Sequence, residues 1–399
     1  MRARLTALTA ALVLNGCTAN SDLSSAAQTS PKRDVAAVAA SMTGTTVLDV
    51  DRFEFTAEIE GCPGTPLPVT QPASGSKLDK AIAKAKSYSD TMGGTSMLVL
   101  IDGQIVHESY DGGLTANGLT DSYSMQKSLL ALTFAAALDD KIISSLDLEV
   151  GPFIPEWVAD ARGKLTFRNL LNMASGQRAA PFGGEESLAL LWSEDINAVA
   201  LATPSQSHAG KQFWYLNSNS QIAGYALDNA LKQAGKTGYN DYFQSRIWCP
   251  LGNGPAKMWL DREGGSPHYF AGLFATGRDW ARVGELLRNK GKAGDKQIIS
   301  AQNIAEILKP SSTNPNYAAH IWLGKEWTAQ RQYSPAAMPA VIHSQPYLAD
   351  DVVFFDGFGG QRVYVIPSSS LTVVRTGLVS FTYDDAVIPN ALLAALQDS

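Results

Sequence analysis

Hydrophobic and polar residues alternate in short stretches near both ends of the chain. Residues 51–60 (DRFEFTAEIE) alternate with a period of two, which is typical of a half-buried strand. Residues 97–110 (MLVLIDGQIVHESY) form two β-rich runs around the dipeptide Asp102-Gly103, which favours a tight hairpin. Near the C terminus, DVVFF, QRVYVI and LTVVRT follow one another within residues 351–376. The pattern therefore predicts strands at both ends of the chain.

The middle of the chain has the period of α-helices. Apolar residues recur at helical spacing through residues 124–308, and further helices are predicted at residues 78–87 and 386–396. The economical arrangement is one antiparallel sheet, built from both ends of the chain and flanked by the terminal helices. The sequence therefore predicts an α+β fold, with an α/β lobe of roughly residues 45–120 and 350–399 and a helical lobe of roughly residues 121–349.

One predicted helix carries a polar pair at the start of an otherwise apolar segment. Between Leu129 and Leu138 the only polar residue is Thr133, so this helix is predicted to be buried. Ser124 and Lys127 precede the segment and share one helical face, because residues at i and i+3 are neighbours. A buried lysine loses part of its preference for the charged state and could accept the proton of a serine nucleophile. On local sequence alone, a lysine that reaches the surface or pairs with an acid is an equally good interpretation.

The Ser-x-x-Lys spacing occurs a second time, at Ser74 and Lys77. This copy ends a Pro- and Gly-rich loop and begins a helix rich in Lys and Ala, so we expect it on the solvated surface. The copy at Ser124 instead opens a buried helix, whose N-terminal N–H groups stabilise negative charge.

Composition and charge exclude several classes of function. The chain has 399 residues, and its formal net charge of −6 disfavours nucleic-acid binding. It has no Cys-x-x-Cys motif and no Cys/His cluster, so a metal site has no support in the sequence. It also lacks the G-x-S-x-G nucleophile elbow and the H-E-x-x-H zinc motif. The five histidines are scattered and are predicted to be structural or on the surface, not catalytic: His107, His208, His268, His320 and His343.

The first residues have the features of a targeting segment. Two arginines precede an apolar run at residues 5–14, which has the length of a signal-peptide core and is too short for a membrane span. The run ends in LNGC, which resembles a bacterial lipobox, although Asn15 is not the usual small residue. We expect residues 1–16 to be a signal peptide, with Cys17 lipidated or cleavage nearby, and residues 17–44 to be a flexible tether. The protein is accordingly predicted to be exported to the bacterial periplasm and anchored to a membrane as a lipoprotein.

Two further cysteines, Cys62 and Cys249, remain when Cys17 is set aside. An even pair in an exported protein can form a disulfide, because oxidising compartments preserve such bonds. Two unpaired thiols are the equally weighted alternative.

Six ordered segments carry a resemblance to a known family: MLVLIDGQIVHESY, SMQK, LTFRNLLNMASG, WYLNSNSQIAGYAL, GLFATGRDWARVGELL and GFGGQRVYVIP. They occur in the family's order, and the match covers nearly all of residues 96–376. They resemble the motifs of the serine β-lactamase-related family, which includes class C β-lactamases, DD-peptidases, esterases and the nylon-oligomer (6-aminohexanoate-dimer) hydrolases. The resemblance implies the β-lactamase/transpeptidase-like fold and a serine hydrolase that forms an acyl-enzyme without a metal or cofactor.

The resemblance also implies roles for individual residues. Ser124 would be the nucleophile and Lys127 its general base. Tyr215 and Asn217 match the family's Y-x-N motif. Tyr215 would relay a proton between Ser124, Lys127 and the leaving group, and Asn217 would hold Lys127 and the substrate carbonyl. The backbone N–H groups of Ser124 and Gln361 would form the oxyanion hole.

The third motif departs from the family pattern. Family members carry Lys-Thr-Gly or His-x-Gly on the strand that faces the nucleophile, whereas this chain has Phe358-Gly359-Gly360, followed by Gln361. Glycines there allow a substrate to approach the backbone closely, but the cation at position 358 is lost. In β-lactamases and peptidases that cation helps to hold a substrate carboxylate. The sequence therefore favours a small ester or a linear amide as substrate.

Two alternatives stay open on the sequence. One is a weak β-lactamase or DD-peptidase, and the other is a non-catalytic, membrane-tethered binding module that uses the cleft to hold a ligand. The joint presence of Ser124, Lys127 and Tyr215 favours the enzyme over the binding module. Loops at residues 177–187 and 261–270 are predicted to set the substrate preference, and the sequence indicates no oligomeric state.

Overall fold

The computed structural model describes residues 33–334 and 340–397. The predicted signal peptide, Cys17 and residues 17–32 of the predicted tether lie outside the described residues. The α-helices are α1 (Val35–Ser41), α2 (Lys77–Thr91), α3 (Gln126–Asp139), α4 (Phe167–Leu171), α5 (Glu185–Trp192), α6 (Ile196–Ala202), α7 (Asn217–Gln233), α8 (Tyr239–Phe243), α9 (Gly277–Arg288), α10 (Ala301–Ile307) and α11 (Val387–Gln397). The strands are β1 (Thr56–Ile59), β2 (Gly94–Ile101), β3 (Gln104–Tyr110), β4 (Thr120–Asp121), β5 (Ala256–Trp259), β6 (Leu273–Ala275), β7 (Lys292–Ala293), β8 (Lys296–Gln297), β9 (Trp322–Leu323), β10 (Gln330–Arg331), β11 (Val341–Ile342), β12 (Val353–Gly357), β13 (Gln361–Ile366) and β14 (Leu371–Gly377).

The main sheet is antiparallel and contains strands from both ends of the chain, as predicted. Its six strands lie in the order β3-β2-β14-β13-β12-β9. The predicted hairpin joins β2 to β3, and Ile101 faces Gln104 across its turn. Asp102 and Gly103 have φ values of +51° and +76°, as a type I′ turn requires at both central positions.

Helices cover both faces of this sheet. Met97 and Val99 of β2 belong to the apolar cluster that includes residues of α2 and α11, so the terminal helices flank the sheet as predicted. Leu98 and Leu100 point to the opposite face and belong to the cluster that includes Val283 of α9. Because side chains alternate between the two faces of a strand, β2 is apolar throughout and is buried on both sides.

Helix α3 is the core of the helical lobe and confirms the prediction of a buried helix. Every residue from Gln126 to Ala137 is buried. A second sheet, in the order β1-β5-β6-β4, lies in this lobe. The strand predicted within residues 51–60 forms as β1, but Thr56 pairs with Trp259 of β5 and not with the main sheet. The assignment of this segment to the α/β lobe was therefore wrong, because alternation identifies a strand without identifying its partner.

The predicted tether ends earlier than residue 44. Residues 35–41 (VAAVAAS) form helix α1, and the Asp34 side chain caps it by accepting the Ala37 N–H at 3.0 Å. Helix α1 packs against α5. The prediction of a flexible tether is thus wrong for residues 35–41, where an alanine-rich segment has both high helix propensity and a surface to contact.

Cys62 and Cys249 form a disulfide, with their Cα atoms 4.8 Å apart. The bond connects the segment after β1 to the segment after α8, and the Cys62 N–H also donates to Asn253 O at 2.9 Å. The alternative of two unpaired thiols was therefore wrong. Within residues 33–334 and 340–397, no helix combines the length and hydropathy of a membrane span.

Candidate active site

Ser124 lies in a single 3₁₀ turn, Tyr123–Met125, that leads directly into α3. Tyr123 has a φ of +43°, a left-handed conformation that is costly for an aromatic residue. Asp121 holds this turn, because its Oδ1 accepts the Tyr123 N–H at 2.8 Å. The strained turn presents Ser124 at the N-terminal end of a buried helix, where negative charge is stabilised.

A glycine on the main sheet lets this turn approach closely. A Cβ atom at Gly357, the last residue of β12, would lie 2.5 Å from Ser122 O. A side chain at position 357 would therefore push the nucleophile turn away from the sheet. Gly357 thus fixes the junction between the two lobes at the point where Ser124 is exposed to the cleft.

The Lys127 side chain is buried, with 1% of its surface exposed, and points at Ser124. Its Nζ lies 2.8 Å from Ser124 Oγ, 2.9 Å from Asn217 Oδ1 and 3.0 Å from Phe270 O. The Tyr215 ring lies below it, with 4.7 Å between Nζ and the ring centroid. The alternative interpretation, that Lys127 reaches the surface or pairs with an acid, is therefore wrong.

Burial lowers the pKa of Lys127 well below its usual range. The carboxylate of Asp356 opposes this shift, because a negative charge nearby favours the protonated amine. Burial prevails, so the neutral amine is reached at a lower pH than in an exposed lysine.

Tyr215 and Asn217 reach Lys127 from the start of α7, as predicted. Asn217 is the first residue of that helix, and Tyr215 precedes it in extended backbone, where its N–H donates to Tyr333 O at 2.9 Å. Burial raises the pKa of Tyr215 well above its usual range, the Asp356 carboxylate adds to the shift, and a hydrogen bond with Ser124 opposes it. The phenol therefore stays protonated while it contacts the nucleophile.

The structure corrects the position of the third motif. Phe358, Gly359 and Gly360 are the turn of the β12–β13 hairpin, which the pair Gly357 and Gln361 closes. Gly359 and Gly360 have φ values of +73° and +99°, a conformation that cannot continue a strand. The expectation that these three residues lie on the strand facing the nucleophile was therefore wrong.

Gln361 lies deeper than the predicted role suggests. It is fully buried, and its side-chain amide donates to Gly377 O at 2.8 Å and accepts the Gly377 N–H at 2.7 Å. Phe358 lines the cavity that contains Ser124, whereas Gln361 does not. The Gln361 N–H as an oxyanion donor stays a prediction, and the Phe358 N–H is a competing donor.

Ser124 opens into a cavity of about 750 Å³. Its walls come from the loop after Gln177, from α5, and from Phe270 at the end of the second predicted loop. That these segments set the substrate preference stays a prediction. Ala39 and Met42, within and just after α1, add a wall that the sequence did not predict. The cavity is therefore closed on one side by the N-terminal segment of the described chain.

A buried cluster of four charges lies behind Tyr215. The Asp356 carboxylate is 2.7 Å from Arg331 Nη1 and 2.5 Å from Arg362 Nη1, and both arginines lie 2.8 Å from the carboxylate of Asp385. Tyr333 donates to Asp356 Oδ2 at 2.8 Å. The two arginines balance the two aspartates, so the cluster is neutral as a whole.

Three groups of the site escaped the sequence-based prediction. The Phe270 carbonyl left no signal, because every residue has one. Asp356 is the lone acid of an otherwise apolar strand, and Asp121 is a buried acid three residues before Ser124; both patterns were signals that could have been used. The second Ser-x-x-Lys copy lies on the surface as predicted: Ser74 and Lys77 are exposed. No group of metal ligands is found in the described part of the chain.

Comparison with known families agrees with this geometry. The family model described as Beta-lactamase matches residues 79–395. The chain therefore belongs to the β-lactamase family. The predicted family, the β-lactamase/transpeptidase-like fold and the enzyme class, a hydrolase of the β-lactamase-related family, are thereby confirmed. No curated protein matches the chain.

Several solved structures share the fold at low sequence identity. A protein provisionally described as a 6-aminohexanoate-dimer hydrolase from Bacillus anthracis has a TM-score of 0.70 and 19% identity, over 88% of this chain and 92% of that chain. One provisionally described as a β-lactamase from Bacteroides dorei has a TM-score of 0.62 and 19% identity, over 80% and 98%. A family VIII carboxylesterase has a TM-score of 0.59 and 18% identity, over 80% and 97%.

Proposed function

We propose that this protein is an exported serine hydrolase that cleaves a small ester or a linear amide through an acyl-enzyme on Ser124. Lys127 acts as the general base. Tyr215 carries a proton to the leaving group, and Asn217 orients both Lys127 and the substrate carbonyl.

The hydrogen-bond inventory around Lys127 Nζ carries this proposal. A neutral amine has two N–H donors and one lone pair. Asn217 Oδ1 at 2.9 Å and Phe270 O at 3.0 Å can only accept, so they take both donors. The lone pair is then directed at the third neighbour, Ser124 Oγ at 2.8 Å, which can donate its proton. The arrangement therefore suits proton removal from Ser124 once the amine is neutral.

The reaction follows from these positions. Ser124 Oγ attacks the substrate carbonyl carbon while its proton passes to Lys127 Nζ. The oxyanion that forms is stabilised by the Ser124 N–H and by a second backbone N–H, from Gln361 or Phe358. The bond to the leaving group breaks as Tyr215 supplies a proton, which Lys127 replaces. Water then attacks the acyl-enzyme by the reverse sequence and releases the acid.

The preference for esters or linear amides over β-lactams rests on the charge that faces the cavity. Asp356 is the β12 residue on the cavity wall, and because two arginines pair with it, a substrate carboxylate would meet no free cation there. Arg331 and Arg362 are both engaged by aspartates. Similarity to a carboxylesterase and to a linear-amide hydrolase supports the same preference. A weak β-lactamase or DD-peptidase is the second candidate, which the match to the β-lactamase family favours.

The test is intact-mass spectrometry of the purified full chain, mixed separately with a p-nitrophenyl acyl ester and with a penicillin. Ser124→Ala is the variant, and Ser74→Ala, the serine of the surface Ser-x-x-Lys copy, is its matched control. We expect an acyl adduct and turnover of the ester in the wild type and in Ser74→Ala, neither in Ser124→Ala, and little reaction with penicillin.

Other outcomes would redirect the proposal. An adduct from penicillin alone would favour a β-lactamase or a DD-peptidase over an ester or amide hydrolase. Adducts that survive in Ser124→Ala would exclude Ser124 as the nucleophile. Absence of any adduct across a panel of esters, amides and penicillins would favour a binding module that keeps the fold.

Export and membrane anchoring belong to the same proposal. The charged and apolar pattern of residues 1–16 and the LNGC sequence before and at Cys17 support it. The Cys62–Cys249 disulfide supports an oxidising compartment, because such bonds are rare in the cytosol. In cells that express the full chain, a larger share of the protein should be in the membrane fraction for the wild type than for Cys17→Ser. Equal distribution of the two would contradict lipid anchoring.

A further inference from the structure

Asp121 is a buried acid on the wall of the active-site cavity that the proposed reaction does not use. It lies three residues before Ser124, lines the same cavity, and is 4% exposed. Its Oδ1 accepts the Tyr123 N–H at 2.8 Å. Within residues 33–334 and 340–397, no cationic side chain forms an ion pair with it.

A series of aromatic contacts leads from the strand partner of this acid to the cavity wall. Asp121 of β4 faces Phe274 of β6 directly, so the two side chains lie on the same face of the small sheet. The Phe274 ring is 4.7 Å from Phe53, centroid to centroid, and Phe53 is 4.9 Å from Trp259. Trp192 in turn lies 4.9 Å from Trp259. Phe53, Trp192 and Trp259 all line the cavity, and aromatic faces attract cations.

The other charges on the cavity wall are balanced. Arg178 forms an ion pair with Glu186. Asp356 belongs to the neutral cluster with Arg331 and Arg362. The charge of Asp121 is therefore the uncompensated one on the described wall of this cavity.

We propose that Asp121, with the aromatic cluster of Phe53, Trp192 and Trp259, binds a cationic group of the substrate, such as a substituted ammonium. This inference rests on the proposed function and names its substrate class: an ester or amide that carries a positive charge on its acyl part or on its leaving group. Asp121 is a specificity-determining residue, and Ser124 and Lys127 do the same chemistry on a neutral substrate.

The burial of Asp121 agrees with this assignment. Burial raises the pKa of Asp121 to about 7, and the hydrogen bond from the Tyr123 N–H only partly opposes it. Without a counter-charge, the ionised carboxylate is poorly stabilised. A cation bound against it supplies that counter-charge, and the low-dielectric, aromatic surroundings strengthen the attraction.

The test compares matched esters that differ only in charge. One pair of p-nitrophenyl esters has an acyl chain that ends in a trimethylammonium group or in its neutral isostere, a tert-butyl group. A second pair carries the same two groups on the leaving side, as acetyl esters of thiocholine and of its tert-butyl analogue. The quantity is the ratio of kcat/KM for the cationic ester to that for the neutral ester. Asp121→Asn is the variant, because the amide keeps an acceptor for the Tyr123 N–H.

We expect the wild type to favour the cationic ester of at least one pair by about 10- to 100-fold, and Asp121→Asn to reduce that ratio to about one. Asp102→Asn, which removes an exposed acid at the β2–β3 turn, should keep the wild-type ratio. A ratio near one in the wild type, or a wild-type ratio that survives in Asp121→Asn, would overturn the inference. Equal losses on both esters would show that Asp121 only holds the Tyr123 turn.

Binding separates this inference from the proposed function. Intrinsic tryptophan fluorescence, to which Trp192 and Trp259 of the cavity wall contribute, can report on ligands in the cavity without turnover. Choline can therefore be compared with its neutral tert-butyl analogue in Ser124→Ala. If no ester acylates Ser124 but choline still binds more tightly than the analogue in an Asp121-dependent way, the proposed function fails and the inference stands. If neutral esters are turned over by Ser124 and choline shows no Asp121-dependent preference, the proposed function stands and the inference fails.

Discussion

Lys127 Nζ lies 2.8 Å from Ser124 Oγ at the first turn of a helix that is otherwise apolar. The two residues are three positions apart, so the helix itself sets their spacing. The lysine is buried, and Asn217 Oδ1 and Phe270 O accept hydrogen bonds from its amine. These two hydrogen bonds determine the direction of the amine lone pair. A local sequence spacing and a set of long-range contacts together make one chemical unit.

The first prediction concerns the charge of Lys127. Because burial lowers its pKa, the active neutral form is present above that pKa and is lost as pH falls through it. We expect kcat/KM to rise with pH along a single ionisation that lies well below 10.5, the usual lysine value. Lys127→Arg should lose about 10³-fold or more at every pH, because a guanidinium does not deprotonate. Lys77→Arg, in the surface Ser-x-x-Lys copy, is the matched control. An active Lys127→Arg enzyme would exclude the lysine as the base.

The second prediction concerns Tyr215. Tyr215→Phe keeps the ring contacts with Trp322 and Tyr333 and removes the hydroxyl near Ser124. We expect a loss of about 10²- to 10⁴-fold for an amide or alkyl ester, whose leaving group needs a proton. A p-nitrophenyl ester should lose less, because its leaving group departs without protonation. Tyr225→Phe, which changes a partly exposed tyrosine in α7, should leave both rates unchanged. Equal losses on good and poor leaving groups would assign Tyr215 to a step other than leaving-group protonation.

The third prediction concerns the disulfide. Cys62 and Cys249 close a long loop, because they are 187 positions apart in sequence. Replacing both by serine should lower the free energy of unfolding by about 3–5 kcal/mol, because the unfolded chain regains the entropy of that loop. The measurement is denaturant unfolding with and without reductant. Reductant should destabilise the wild type to the level of the double variant and leave the variant unchanged. A variant as stable as the oxidised wild type would show that the bond adds nothing.

The fourth prediction concerns stability and pH. The folded-state pKa of Asp121, about 7, exceeds the value near 4 expected when the chain is unfolded. The folded state therefore holds the proton more tightly, and Asp121 costs stability progressively as pH rises from about 4 to about 7. This cost reaches at most about 4 kcal/mol above pH 7. Asp121→Asn should gain stability relative to the wild type between pH 5 and pH 8 in thermal unfolding, whereas Asp102→Asn should not. A difference that does not change with pH would contradict the shifted pKa.

The sequence predicted the parts of the fold that depend on local pattern. The Asp102-Gly103 hairpin, the strands after residue 351 and the buried helix at Lys127 all formed as expected, because turn chemistry and periodicity act over a few residues. The partner of β1 was wrong, because strand pairing depends on contacts 200 residues away along the chain. The tether was wrong for a similar reason: helix α1 is stabilised by α5, which its own composition does not reveal.

The residues of the candidate site likewise include some that the sequence predicted and some that it did not. Ser124, Lys127, Tyr215 and Asn217 could be predicted because each belongs to a motif with fixed spacing. The third motif was misplaced, because the family resemblance put its residues on a strand, whereas they form the turn between β12 and β13. The Phe270 carbonyl was missed because only the folded chain brings it to within 3.0 Å of Lys127. Asp121 was missed although its position three residues before Ser124 was a usable signal.

Helix α1 and the residues just after it supply a wall of the cavity but none of the groups around Lys127 Nζ. Substitutions in residues 35–46 can therefore reshape the space around a substrate while the nucleophile keeps all of its hydrogen bonds. Selection can act on this segment independently of the reaction chemistry. Changes in α1 can therefore alter which substrates fit the cleft while the geometry of Ser124 and Lys127 stays the same.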